Sequence, residues 1–292
     1  MNPFISLIAG KLSLRTTQVE AVLTLQEEGA TIPFIARYRK DKTGNLDEVQ
    51  IQQIQDEHKF LKEFTERKTF IEKTITEQGK MTEALQQKLD TALTLNELED
   101  IYLPYKPKRK TKAQAAKENG LEPLAILLLE QKDINVTTAA EPFINEKVKS
   151  AEEALQGARD IIAEQVNEDA NLRAKLRKYF EDTAVVRSSV MKDKEAEGAK
   201  YKDYFDFSEP VHKIPSHRTL AILRGFTEGI LKMSIEPAED QALELIEADL
   251  VKGMSEASTQ VKKAIKDAYK RLLQPSLETE FRSQLKQKAD EE

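Results

Sequence analysis

Apolar positions recur every three or four residues along most of this chain, the period of amphipathic helices. Phe4, Ile5, Leu7 and Ile8 make a first short element. Thr16 and Thr17 offer N-caps for a helix through Val19, Val22, Leu23 and Leu25, and Gly29 is its natural stop. Pro33 suits the first turn of a second helix, IPFIARYRK, which carries Arg37, Tyr38, Arg39 and Lys40 and commits Ile32, Phe34 and Ile35 to burial. Helix, glycine turn and basic helix is the outline of a helix-turn-helix. After a turn at Lys42-Thr43-Gly44-Asn45, Asp47 caps the longest helix of the chain. Its apolar set, Val49, Ile51, Ile54, Phe60, Leu61, Phe64, Phe70, Ile71 and Ile75, slips phase near His58, and Gly79 ends it. About thirty residues at a 1.5 Å rise give a strut of roughly 45 Å.

Thr82 starts a helix with Leu85, Leu89, Ala92 and Leu93 on one face, and Thr94 with Glu97 forms a capping box for LNELEDIYL. Pro104 and Pro107 stop that helix and stiffen the segment YKPKRK. Thr111 caps the next helix, Gly120 closes it, Glu122-Pro123 opens LAILLLEQ, and Asp133 to Thr138 reads as a loop. Two further helices carry Ala154 to Val166 and Leu172 to Phe180. The period then changes: AVVRSSVM and GILKMSIEP are β-branched or alternating runs that pair as a small sheet. Between them KYKDYFDFSEP is a polar excursion, and in IPSHRTLAILRG Ser216 reads as an N-cap and Gly225 as a helix stop. Helices over 238–250, 259–273 and from 276 onward finish the chain, with Pro275 as a joint between the last two. The tail LKQKADEE runs out on a helical pattern without a cap, as expected for a piece of something longer. The fold class predicted is mainly α: a multi-helical scaffold with a helix-turn-helix-like unit, one very long helix and a small β-sheet. A compositional change in the Thr-Thr-Ala-Ala-Glu-Pro stretch divides an N-terminal helical domain, 1–140, from a helical subdomain with a small β insertion, 141–292.

Composition narrows the chemistry. The 292 residues are 33% charged and 6% aromatic with a net charge of −6, so phosphate contact has to come from a local patch rather than the bulk field. No cysteine is present, which excludes disulfides, thiolate zinc sites and cysteine nucleophiles and fits a reducing cytoplasm. Met1 to Lys11 lacks the pattern of a signal peptide, and no apolar run approaches the ~20 residues that span a bilayer. The histidines, His58, His212 and His217, show no metal-binding spacing. Nor does the chain contain GxSxG, a P-loop or GxGxxG, so no catalytic residue, metal or cofactor is assigned and no enzyme is expected. Glu99 or Asp100 is expected to pair with Lys106 or Arg109, and Arg218 and Arg224 with Asp203, Asp206 or Glu209. The segment from Thr94 to Gly120 concentrates cations with tyrosines and prolines as nothing else in the chain does. Candidate nucleic-acid contacts are Arg37, Arg39, Lys40, Tyr105, Lys106, Lys108, Arg109, Lys110 and Lys112, with Tyr102 and Tyr105 able to stack on bases. The alternative is a proline-braced connector whose tyrosines pack inward while its lysines face solvent.

The runs FIARYRKDKTGNLDE, TEQGK, LEDIYLPYKPKRKTKAQAAKENGLEPLA, IPSHRTLAILRG and IKDAYKRLLQPSLE, in this order, resemble successive landmarks of the bacterial Tex proteins. These are transcription accessory factors related to eukaryotic Spt-type elongation factors. The resemblance implies a cytoplasmic nucleic-acid-binding protein that acts with the transcription machinery; the expected partner is RNA, or duplex DNA, and the chain is expected to be a monomer with no membrane association. It also implies that a YqgF-type domain, helix-hairpin-helix elements and an RNA-binding OB-type barrel follow this helical part in a complete member. On that footing the chain is a scaffold with auxiliary, weak nucleic-acid contacts. The competing expectation is a helical protein-interaction module that docks on RNA polymerase or ribosome-associated partners without touching nucleic acid.

Overall fold

The helical period is realised as sixteen α-helices among the described residues, 2–291, of a computed structural model, and the chain divides after Tyr105 into two units. In the first unit, α1 (Ile5–Leu12), α2 (Thr16–Glu27), α3 (Ile32–Tyr38) and the single turn α4 (Lys40–Thr43) gather round the start of α5 (Glu48–Glu77). Asp47 caps α5 as expected: its carboxylate accepts from the Gln50 amide at 2.8 Å, and the Gln50 side chain accepts from the Asp47 amide at 3.1 Å. The phase slip near His58 has a physical origin. Ile51 and Ile54 join one apolar core with α1–α3, whereas Ile71 and Ile75 join another with α6 (Glu83–Thr91) and α7 (Leu95–Tyr102). Ile54 and Ile71 lie roughly 100° apart around an ideal helix of 3.6 residues per turn. No residue from 55 to 70 is buried, so α5 serves two cores and bridges them as a strut. His58 is a packing residue here, edge-on to Phe4 at 6.0 Å with Nε2 2.9 Å from the Asn2 amide nitrogen.

Local differences from the expected pattern are informative. The first helix cap falls at Arg15 rather than Thr16 or Thr17, with the Gln18 side chain accepting from the Arg15 amide at 3.2 Å. The basic helix is not continuous: it ends at Tyr38, Arg39 takes φ −129° and ψ 26°, and α4 restarts at Lys40. Phe34, Val49 and Leu93, assigned to apolar faces by their spacing, are exposed.

The second unit is built on α11 (Ala151–Glu168), which α8 (Lys112–Glu118), α9 (Glu122–Leu129) and α10 (Val136–Ala140) flank. Asn135 caps α10 through a 2.8 Å bond from the Thr138 amide, so the stretch read as a loop is a capped helical turn. Residue 140 lies at the end of α10, inside this unit. Gly157 admits the α8–α9 corner; a Cβ there would lie 2.3 Å from Leu121 Cδ1. Buried Arg159 joins α11 to α15 (Glu256–Ala268) by donating to Gln260 at 2.5 Å. α12 (Ala170–Thr183) leads into the sheet of β1 (Val185–Val190), β2 (Asp206–Pro210) and β3 (Leu231–Glu236), antiparallel in the order β2-β1-β3. Val186 pairs Ile235 on one side and Glu209 on the other. The expected pair of strands is therefore present, and β2 joins it from the polar stretch, whose few apolar residues hid it.

α13 (Ser216–Thr227) lies between β2 and β3. Pro215, not Ser216, holds its cap position, and the helix passes through Gly225 to stop at Gly229 with φ 71°. Gly225 is instead a close-approach glycine, where a Cβ would meet Leu231 Cδ1 at 2.6 Å. α14 (Glu239–Leu250) and α15 precede α16 (Gln274–Glu291), but Pro275 is not a joint. Helix runs on from α15 into α16 through a π turn at Tyr269–Leu273. That wider turn relieves the clash a proline makes with the carbonyl one turn back.

Candidate nucleic-acid interface

Of the candidate contact residues, Arg37, Arg39, Lys40 and Tyr105 lie in the first unit, and Lys106, Lys108, Arg109, Lys110 and Lys112 in the second. In the first unit, α3 buries Ile35 and Ala36 and leaves Phe34 39% and Tyr38 65% exposed. These rings are one helical turn apart, with centroids at 5.4 Å and planes at 44°. The Arg39 guanidinium lies 4.9 Å from the Phe34 ring centre, and its Nη1 donates to the Tyr38 carbonyl at 3.0 Å. Arg37 is 70% exposed, with only a loose 3.9 Å approach to Glu48. Lys40 and Lys42 are exposed and form no ion pair among the described residues. Arg15 joins this corner from α2. Its guanidinium lies beside Gly44, and Gln18, to which its Nε donates at 3.3 Å, donates in turn to the Thr43 carbonyl at 3.0 Å. Gly44 needs its φ of 64° to make the turn.

The YKPKRK segment is held very differently. Tyr105 is half-buried against the α5–α7 core, and its carbonyl accepts from Gln78 at 2.9 Å. Tyr102 is buried, with Phe70 edge-on at 6.2 Å and the Arg67 guanidinium 5.4 Å from its ring, so no base reaches it. In the second unit, Lys108 is clamped to Glu168 and lies 3.7 Å from Glu164, both on α11. Lys110 bonds Glu118 at 2.6 Å; with Gln114 it holds the Glu118 carboxyl below its ordinary range. Lys106 is half-buried and engaged. Arg109 and Lys112 are exposed without an ion pair among the described residues. The structure thus places Arg37, Arg39 and Lys40 together at one corner and gives Lys108 and Lys110 to carboxylates. Phe34, Lys42 and Arg15 belong to the first corner as well. Sequence reading assigned Phe34 to the core because it stands between Pro33 and Ile35; the aromatic pair at i and i+4 was the available signal.

Elsewhere, Glu99 pairs with Arg67, whose guanidinium it holds charged to higher pH. Arg67, Phe70, Leu95 and the carboxylates Glu63, Glu66 and Glu99 line an open cleft of about 520 Å³. Arg218 pairs with Glu209 at 2.9 Å as anticipated, while Arg224 pairs along its own helix with Glu228 at 3.2 Å. Among the described residues no group of three or more His, Asp or Glu side chains is placed to hold a metal ion, and no helix is long and apolar enough to cross a membrane.

Comparison with known proteins agrees with the landmarks. Residues 2–76 match the Tex-like protein N-terminal domain and residues 131–292 the Tex central region-like model. The chain is 46% identical over 234 residues to the transcriptional accessory protein Tex of Neisseria gonorrhoeae, covering 80% of this chain and 31% of that protein. It is 41% identical over 290 residues to the YdcI protein of Bacillus subtilis, covering 98% of this chain and 40% of the relative. A more distant relative, at 27% identity over 93% of this chain and 29% of its own length, is the human S1 RNA-binding domain-containing protein 1. The chain thus spans well under half the length of these relatives. With matches to both domain models, in the order its landmarks follow, the chain belongs to the Tex family of transcription accessory proteins.

Proposed function

We propose that this chain is the helical scaffold of a Tex-type factor that works with the transcription machinery in the cytoplasm and makes auxiliary contacts to nucleic acid without catalysing a reaction. The observation that carries the nucleic-acid part is the corner of α2, α3 and α4, where four cations, Arg15, Arg39, Lys40 and Lys42, have no carboxylate partner among the described residues. Cations left free in this way attract phosphates and release counterions. Names of relatives lend support, one being a transcriptional accessory protein and another containing an S1 RNA-binding domain.

Binding of labelled RNA and duplex DNA to the 292-residue chain, followed by anisotropy across a salt series, tests this reading. Three to five engaged cations give a slope of log affinity against log salt of about −2 to −3.5 for a single strand. Salt-independent binding, or none at low salt, refutes it. The same samples incubated with Mg²⁺ test the non-catalytic part, which fails if the nucleic acid is cleaved by highly purified protein. A second reading, docking of a protein partner, is favoured by the acid-rimmed cleft on α5 with half-exposed Phe70 at its wall. Direct binding of purified RNA polymerase, lost on Phe70→Ala and kept with the α3 corner changed, selects it instead.

A further inference from the structure

We propose that the corner of α2, α3 and α4 is a stacking platform for single-stranded nucleic acid. In it the rings of Phe34 and Tyr38 take bases, and Arg15, Arg37, Lys40 and Lys42 take the phosphates alongside. The inference rests on the nucleic-acid reading above and adds the kind of strand recognised and the residues that recognise it.

Three observations converge on it. First, α3 turns two aromatic rings to solvent although its own core face is already satisfied by Ile35 and Ala36. Exposed aromatic rings interleaved with cations are the chemistry of sequence-tolerant single-strand binding, since every base has a π-face. Second, Arg39 already lies over the Phe34 ring at 4.9 Å, so one guanidinium plane extends the aromatic surface. Arginine guanidinium planes, like aromatic rings, stack on unpaired bases. Third, the rings are tilted by 44° at 5.4 Å, an arrangement that suits bases free to splay and not bases fixed in a duplex stack. Duplex reading by a recognition helix is disfavoured by the length of α3. α3 runs for seven residues before breaking at Arg39, leaving about two turns to enter a major groove.

Charge around the rings supports the assignment. Within 34–48, Asp47 is occupied as the α5 cap and Glu48 approaches Arg37 only at 3.9 Å, which leaves Asp41 as the other carboxylate of that stretch. By contrast, Lys108 and Lys110 of the YKPKRK segment are neutralised in place.

The experiment uses the 292-residue chain with labelled oligo(U), oligo(dT) and a duplex of equal length. Single strands of both kinds bind more tightly than the duplex, and Phe34→Ala and Tyr38→Ala each weaken them about tenfold, as lost base stacking requires. Tyr38→Phe keeps affinity. Because the chain has no tryptophan, a Tyr38→Trp variant carries one indole, whose emission is quenched when a base stacks on it. Thermal melts matching wild type show that the variants fold. Unchanged affinity in both alanine variants, or an unquenched indole at saturation, overturns the platform and leaves the nucleic-acid reading standing. Preference for duplex does the same. Failure of the unaltered chain to bind any of the three removes both.

Discussion

Reversing one charge in the YKPKRK segment separates its structural role from binding. Lys108 is about one-third exposed, and it faces Glu164 and Glu168, whose side chains are both 18% exposed. Two unit charges at 4 Å interact by ~1 kcal/mol in water and ~4 kcal/mol at an effective dielectric of about 20. Fully exposed pairs sit at or below the lower figure, and this one is more enclosed. Lys108→Glu removes the attraction and places three carboxylates together, which should destabilise the second unit by about 2 kcal/mol. Urea unfolding at low and high salt measures it, and the loss should shrink as salt screens the repulsion. Adding Glu168→Lys to Lys108→Glu restores the pair with its signs exchanged and should recover most of the loss. A single variant within ~0.5 kcal/mol of wild type, typical of an unremarkable surface change, refutes the clamp. So does a double variant no more stable than the single one. Charge reversal across 108–110 therefore perturbs stability as well as binding, and Arg109→Gln is the cleaner probe of any phosphate contact there.

Two further outcomes follow from the packing. Gly225→Ala forces a Cβ to 2.6 Å from Leu231 Cδ1 in a filled space, so overpacking of ~1–3 kcal/mol outweighs a helix gain of up to ~1 kcal/mol. Gly10→Ala in α1, where nothing lies within 4 Å, gains stability of about 0.5–1 kcal/mol; equal effects at both sites in thermal unfolding refute the close approach at Gly225. Burial, with Glu236 and Glu239 adding to it, pushes the Tyr269 phenol above its ordinary value of 10.0. The folded chain then holds that proton more tightly than the unfolded one, so its stabilising contribution is complete below pH 10 and falls as pH rises beyond it. Tyr269→Phe should lose less stability than wild type between neutral pH and pH 11 in parallel denaturation series; identical losses count against the buried phenol.

Much of the fold was legible because its signals are local. Asp47, Thr82, Thr94 and Thr111 each cap the helix assigned to them, since a short polar side chain that can accept from the third amide marks a start wherever it stands. Gly29, Gly79 and Gly120 stop helices at positive φ for an equally local reason. Apolar period gave the helices and the change of period gave β1 and β3. The basic positions of the candidate interface could be named from sequence for the same reason, because charge is a property of the residue.

Which of those charges is free was decided by tertiary structure. Lys108 looked as available as Arg39 in sequence, yet Glu164 and Glu168, more than fifty positions away, engage the first, and among the described residues no carboxylate meets the second. Burial behaves likewise: Phe34 and Ile35 are neighbours in one apolar run, and only the break after Tyr38 and the packing of α5 settle that Ile35 turns in and Phe34 out. Gly225 reads as a stop because glycine usually is one, whereas the nearness of Leu231 makes it a contact. Pro275 reads as a break, and the π turn before it lets the helix continue. The sequence by itself determined the helices, their caps and the inventory of charge, all properties that neighbours in the chain dictate. Partners brought together from distant positions decided which rings and cations remain open to a ligand.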